Sequence, residues 1–212
     1  MRLYTYFRSS AAFRVRIALN LKRLDYEPRF VHLRKGQHRQ ADYRTVNPQA
    51  LLPALELDDG HRLAQSLAIM EYLDETHPRP PLLPPNALER ARVRSIAQLV
   101  ACEIHPLNNL RTLEHLRKLG HTEDQVVAWY GHWIVEGLAK LEADLAGSPQ
   151  TGRFCHGDAP TLADCCLVPQ IFNARRYEFD PQPYPTVMRV FDECMKLDAF
   201  DRAQPSRQPD AE

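Results

Sequence analysis

Residues 7–20 read FRSSAAFRVRIALN. Arg8, Ser9 and Ser10 stand where a run of β-formers gives way to helical spacing. A helix start presents unpaired N–H groups and the positive end of its dipole, so this corner suits an anion. Either serine hydroxyl can donate to that anion, and either can cap the helix instead. The corner holds no histidine, cysteine or carboxylate, so it has no nucleophile of its own. Farther along, Thr161-x-x-Asp164 precedes an apolar run, the pattern of a capping box. There the threonine hydroxyl accepts the N–H three residues on and the carboxylate reaches back. Asp164 is therefore read as a cap rather than as a catalytic acid. The 9 histidines and 5 cysteines show no zinc spacing and no C-x-x-C, so no metal is expected.

The elements that must position this corner follow from periodicity and turn signals. Residues 2–7 read as a strand, and Phe13, Ile17, Ala18 and Leu21 recur at helical spacing from Ser10 to about Lys22. Residues 26–33 read as a second strand, with Pro28 marking an edge or a strand start. A polar loop with a short helix fits 37–46. Residues 53–64 are two short strands around Asp58-Asp59-Gly60, a tight-turn signal, and 66–76 is a helix with Leu67, Met70 and Leu73 on one face. The stretch 77–86 holds five of the chain's 17 prolines and reads as a stiff linker. Everything beyond looks helical: 87–119 with a break or kink near Pro106, then 122–146, 161–177 and 185–198. The last ten residues read as a polar surface tail.

Lys+Arg and Asp+Glu are both 27, which argues against bulk attraction to nucleic acid or to a membrane surface. No apolar run reaches the ~20 residues of a membrane span. The N-terminus opens on a strand pattern without a leader's apolar core. An odd number of cysteines without paired spacing fits a reducing cytoplasm.

A β-α-β-α-β-β-α unit, a proline linker and an all-helical second half resemble the glutathione transferase architecture. The segments YFRSSAAFRVRIAL, NPQALLPALE, QSLAIMEYL, HPLNNLR and DAPTLADCCLVPQIFNARR resemble its zeta class, over about residues 2–205. That class includes maleylacetoacetate isomerase and bacterial maleylpyruvate isomerase. The resemblance implies a thioredoxin-like α/β domain over 1–80 that binds glutathione. It implies an all-α domain over 86–212 for substrate binding and dimerisation, the dimer forming through helices in 87–119. The missing nucleophile is then the sulfur of glutathione, with Ser9 donating to the thiolate and Ser10 the next candidate.

By family position, the glutathione contacts run through Ser9, Ser10, Ala11, Ala12, Phe13 and Arg14. Gln65 and Ser66 take the γ-glutamyl end. Leu52 pairs with the cysteinyl backbone ahead of a cis Pro53, and His38 and Gln49 lie near the glycyl end. His105, Asn108, Asn109, Leu110 and Arg111 form a further contact region. Arg8, Arg111 and Arg176 would hold a dicarboxylate, with either Arg8 or Arg176 on the carboxylate next to the reacting carbon; the planar guanidinium fork matches a carboxylate at two points, which lysine cannot copy. Ala11 departs from the family, which often has cysteine there, so no thiol at that position can assist.

The implied reaction is glutathione-dependent conversion of maleylpyruvate to fumarylpyruvate in aromatic catabolism. Thiolate addition to the carbon β to the ketone turns the double bond into a single one, rotation follows, and elimination leaves the trans product. Maleylacetoacetate, one CH₂ longer, is the alternative substrate. A conjugating or dehalogenating transferase would use similar parts but consume glutathione. A non-catalytic binding module would not need the serine and the arginines.

Overall fold

The computed structural model describes residues 1–177, 180 and 182–212. Its contacts divide the chain into two compact units, residues 1–82 with 195–212, and residues 83–194.

The first unit is built on a four-stranded sheet. β1 (Arg2–Thr5) is followed by α1 (Ser10–Leu21) and β2 (Glu27–Phe30). β1 and β2 are parallel, with Leu3 opposite Pro28, so the first crossover is a β-α-β turn. A short 3-10 turn (Gln37–Arg39) and α2 (Ala41–Val46) lead to β3 (Ala54–Glu56) and β4 (Arg62–Ala64), an antiparallel hairpin. The spatial order is β2-β1-β3-β4. Pro28 has no N–H to give a second neighbour, and β2 lies at the edge, as its proline predicts. The hairpin turn has Gly60 at φ +88°, which a side chain would resist. α3 (Ser66–Thr76) packs beside α1, with Phe13, Ile17, Ile69, Met70 and Leu73 sealed in the core.

The linker is pinned as well as stiff. Lys22, at the end of α1, is buried, and its ammonium donates to Asp74 at 2.8 Å, to the His77 carbonyl at 2.6 Å and to the Pro80 carbonyl at 2.9 Å. Its three donors thus meet three acceptors, which is what makes burying the charge tolerable.

Residues 195–212 depart from the sequence reading, which put them in the helical domain and ended them as a surface tail. They belong to the first unit. α9 (Asp198–Asp201) packs on α1, where Asn20 donates to the Ala199 carbonyl at 3.0 Å. Ala203 is buried, and Asp210 accepts the Phe7 N–H at 2.9 Å. These are polar side-chain and main-chain contacts, which leave no periodic trace in sequence.

The second unit is helical: α4 (Ala87–Gln98), α5 (Leu110–Lys118), α6 (Glu123–Ala146), α7 (Leu162–Ala174) and most of α8 (Pro185–Met195). The expected break near Pro106 begins upstream. α4 runs directly into a π-helical segment, Leu99–Ile104, and the His105 N–H bonds to the Val100 carbonyl. Pro106 has no N–H for the carbonyl four residues back, so the α ladder cannot continue through it. Gly137 on α6 lets this segment close in, since a Cβ there would collide with the Ile104 side chain. Among the described residues no helix is long and apolar enough to cross a membrane.

Asp164 is fully buried and caps α7. Its Oδ2 accepts the Thr161 N–H at 2.7 Å and the Thr161 hydroxyl at 2.8 Å, and its Oδ1 accepts the Cys155 N–H at 2.8 Å. The threonine hydroxyl donates to the carboxylate, and the reciprocal capping box expected from the sequence is present. Burial pushes the carboxyl pKa up while these donors oppose it. Asp164→Ala should orphan two buried N–H groups at about 1–3 kcal/mol each. The expected loss of roughly 2–6 kcal/mol should lower Tm by about 5–20 °C in a thermal melt. An unchanged Tm would show that the cap is dispensable.

Candidate active site

The corner between β1 and α1 is over-determined. Ser9 is the N-cap of α1, with φ −70° and ψ 109°, and its Oγ accepts the Ala12 N–H at 3.2 Å. A hydroxyl has two lone pairs and one proton, so the cap takes a lone pair and leaves the proton for another acceptor. Capping and donation to an anion are therefore compatible in one side chain. The first turn of α1 carries no acidic residue to compete for the N–H groups. Ser10 follows as the first helical residue, also buried. Arg8 is exposed beside it, its guanidinium 5.1 Å from the centre of the Phe7 ring.

A second set of groups surrounds the start of α3. Gln65 is its N-cap, at φ +71°, a left-handed conformation that costs a non-glycine residue about 1–3 kcal/mol and that persists mainly at clamps and active sites. Its side-chain amide donates to Gln49 Oε1 at 2.7 Å. Ser66 Oγ accepts from the buried Arg14 at 3.2 Å. Thus Gln49, Gln65, Ser66 and Arg14 are linked two by two around a helix N-terminus, a ready carboxylate site.

The Leu52–Pro53 bond is cis, as the resemblance implies. The Leu52 side chain sits in a cluster with Tyr6, Phe7, Val31 and Tyr43, so what it offers a ligand is backbone. Tyr43 and Asn47 fix the loop by donating to the Leu51 carbonyl at 2.6 and 2.9 Å. His38 is mostly buried in the 3-10 turn, where its Nε2 accepts from Arg39 at 3.2 Å. That bond leaves the proton of the neutral ring on Nδ1.

In the second unit, Asn109 is the N-cap of α5 and accepts the Arg111 N–H at 3.1 Å; its amide nitrogen lies 3.3 Å from His105 Nε2. Asn108 is buried, with neither amide atom partnered among the described residues. Leu110 is half-buried and Arg111 is exposed. Arg176 is exposed in the turn that ends α7, where its N–H bonds to the Asn173 carbonyl at 3.2 Å. The Tyr130 hydroxyl donates to the same carbonyl at 2.8 Å, and the Tyr130 and Tyr177 rings stack at 3.8 Å. Burial pushes the Tyr130 phenol pKa up, keeping it a donor.

The family model for the glutathione S-transferase N-terminal domain matches residues 8–76, and that for the C-terminal domain matches residues 134–193. The chain is 50% identical to a maleylpyruvate isomerase of Ralstonia sp, over 100% of both chains. The chain belongs to the glutathione transferase family. Its fold superposes on the holo structure of a maleylpyruvate isomerase, a bacterial zeta-class member, with TM-score 0.97, 49% identity and full coverage of both chains. It matches equally, with TM-score 0.97, 44% identity and full coverage of both, a maleylacetoacetate isomerase of Methylobacterium extorquens AM1 with malonate and GSH bound.

Ala12 and Phe13 lie in the core at 0% and 1% exposure, and the Ala12 N–H is taken by Ser9. The motif runs along a helix whose inner face is packing, and these two side chains fill that face. Ala11 is half-buried at the start of α1. Two residues were missed. Arg16 is fully buried beneath the corner and Asp210 reaches it from the C-terminal segment. Arg16 had a legible signal, since it lies three residues after Phe13 on the apolar stripe of α1. Asp210 had none.

Proposed function

We propose that this chain is a glutathione-dependent cis–trans isomerase of maleyl-keto acids, with maleylpyruvate to fumarylpyruvate its leading reaction. The observation that carries the reading is Ser9, which caps α1 through a lone pair and keeps its proton for a thiolate. Bound glutathione supplies a nucleophilic thiolate that adds to the alkene, permits rotation and leaves unchanged. Ser9 donates to the sulfur and favours its charged form, and the positive end of α1 acts in the same direction. Gln65 and Ser66 hold the γ-glutamyl carboxylate at the start of α3, the Leu52 backbone pairs with the extended tripeptide, and His38 and Gln49 serve its glycyl end. His105, Asn108, Asn109 and Arg111 supply the contacts from the helical unit. Arg8, Arg111 and Arg176 grip the substrate's two carboxylates and stabilise negative charge developing on its ketone oxygen.

Maleylacetoacetate is the second reading, favoured by the malonate and GSH complex of the Methylobacterium isomerase. One CH₂ is discriminated by about 1–3 kcal/mol, so both substrates should turn over with kcat/KM values within about 200-fold. We further propose a homodimer, supported by the large apolar side chains Leu88 and Leu119, which are 78% and 64% exposed within 87–119. The proposed setting is the cytoplasm, whose reducing poise suits five free cysteines.

The test is to mix the protein with maleylpyruvate, with and without glutathione, and to follow the trans product and the free thiol. The expected result is conversion only with glutathione and at constant thiol. Conversion without glutathione removes the borrowed nucleophile, and stoichiometric thiol loss makes the protein a conjugating transferase.

A further inference from the structure

The four hydrogen bonds of the buried Arg16 guanidinium all end on uncharged oxygens. Nε donates to the Ala203 carbonyl at 2.9 Å, Nη1 to Thr5 Oγ1 at 3.0 Å and the Tyr6 carbonyl at 3.4 Å, and Nη2 to the Phe7 carbonyl at 3.2 Å. The Tyr6 carbonyl also accepts the Ser9 N–H at 2.9 Å. Between these bonds, the Phe7 N–H goes to Asp210 Oδ2 at 2.9 Å, while Asp210 Oδ1 is buried without a partner among the described residues. Every one of these backbone polar atoms leading into Ser9 is therefore held by Arg16, by Asp210 or by the turn itself. A fully buried cation usually sits against a carboxylate, because desolvation is costly. Here the guanidinium spends its donors on three backbone carbonyls and the Thr5 hydroxyl instead, and burial lowers its pKa to about 10.

We propose that Arg16 and Asp210 are positioning residues for Ser9, locking the turn from Tyr6 to Ser9 so that the serine hydroxyl meets the glutathione thiolate at hydrogen-bonding distance. The inference rests on the reading of Ser9 as the thiolate's donor. It gives the C-terminal segment a task in the reaction that its sequence does not announce. The two residues also bring opposite charges to the corner. Asp210 disfavours a bound anion and Arg16 favours one, so the ionisation of the thiol reads both. The other titratable or charged groups around the turn, among the described residues, are Tyr6, Arg8, Tyr26, His32, Arg34, Lys35 and Glu212, all common to the variants compared below.

The experiment titrates the thiolate of protein-bound glutathione by its ultraviolet absorbance, without substrate, and then measures kcat and KM. Asp210→Ala should raise the bound thiol's pKa by about one unit and lower kcat at neutral pH about tenfold, with KM for the dicarboxylate within about twofold of wild type. Asp210→Asn keeps an acceptor for the Phe7 N–H and removes a negative charge. It should restore most of kcat, with the thiol titrating no higher than in the wild type. Arg16→Lys, which keeps the charge but not the fork, should raise the thiol pKa as Asp210→Ala does. If it does not fold, the Asp210 pair decides alone. Asp210→Ala with a lower Tm but a wild-type thiol pKa would reduce the contact to a structural one and overturn the proposal. If Ser9→Ala shifts the thiol and Asp210→Ala does not, this inference alone falls. If neither the wild type nor any variant perturbs the thiol, the Ser9 reading falls with it.

Discussion

Replacing Ser9 with alanine is expected to lower kcat at neutral pH by about 10–100-fold and to raise the pKa of bound glutathione by about one to two units. A hydrogen bond to a charged group contributes about 1.5–3 kcal/mol, and one pKa unit is about 1.4 kcal/mol. The sign follows from which form is favoured. Ser9 stabilises the thiolate, so without it the thiol holds its proton to higher pH, and each unit costs about tenfold in thiolate at a pH below both values. The acid limb of the kcat profile should move upward, and the variant should approach the wild type as pH rises past the new pKa. Capping complicates the reading, because Ser9 also accepts the Ala12 N–H. Loss of the cap costs about 1 kcal/mol with alanine but only a few tenths with glycine. Ser9→Gly thus separates the two roles. If activity tracks the missing proton donor, both variants are equally impaired although Ser9→Ala melts lower. If Ser9→Gly retains wild-type kcat, Ser9 is only a cap and Ser10 becomes the candidate.

Such a test can be framed from sequence because the first unit is governed by local rules. Pro28 cannot lie in a central strand, and β2 is an edge. Asp59-Gly60 demands a tight turn, and the hairpin of β3 and β4 closes there. The same signals could not place residues 198–212, whose composition is that of a solvated tail. What holds them in is the fully buried Phe200 together with hydrogen bonds to distant partners, from Asn20 to Ala199, from Arg16 to Ala203 and from Phe7 to Asp210. Long-range polar pairings of this kind have no spacing rule. A boundary placed once, at the proline linker, therefore does not anticipate a segment that returns to the first unit by its contacts.

The site shows the same division. Gln49 stands in one motif and Gln65 and Ser66 in another, and the fold joins the two glutamines by a 2.7 Å bond and sets Ser66 on a buried arginine. A motif read as a string cannot say which of its letters point inward. In the helix of α1 the period of 3.6 residues sends Phe13 and Arg16 into the interior and leaves Ser9 at the end, where backbone donors converge. The charged residue on that apolar stripe is the clue that the string held and that periodicity exposes. A buried arginine needs acceptors, and Arg16 finds them in the Tyr6 and Phe7 carbonyls of the turn before the helix, in the Thr5 hydroxyl and in the Ala203 carbonyl.

Arg176→Ala is expected to raise KM for the dicarboxylate and to lower kcat/KM by about 10–100-fold, with Tm nearly unchanged. A charge-assisted contact of about 1.5–3 kcal/mol is lost, which is one to two decades. The turn that carries Arg176 should survive the change, since it is built from backbone. The Arg176 N–H and the Tyr130 hydroxyl share the Asn173 carbonyl, and Tyr177 stacks on Tyr130. An exposed side chain removed from such a frame typically alters stability by no more than about 0.5 kcal/mol. Arg176→Lys should recover only part of the loss, because an ammonium cannot reproduce a two-point grip. Esterifying the carboxylate that Arg176 holds removes the same interaction from the substrate's side. Wild type and Arg176→Ala should then differ far less on that ester than on the free diacid, the coupling a double-mutant cycle isolates. An equal loss on the diacid and on both of its monoesters would mean that Arg176 acts on the reaction without holding a carboxylate, and the dicarboxylate clamp would have to be built from Arg8 and Arg111 alone.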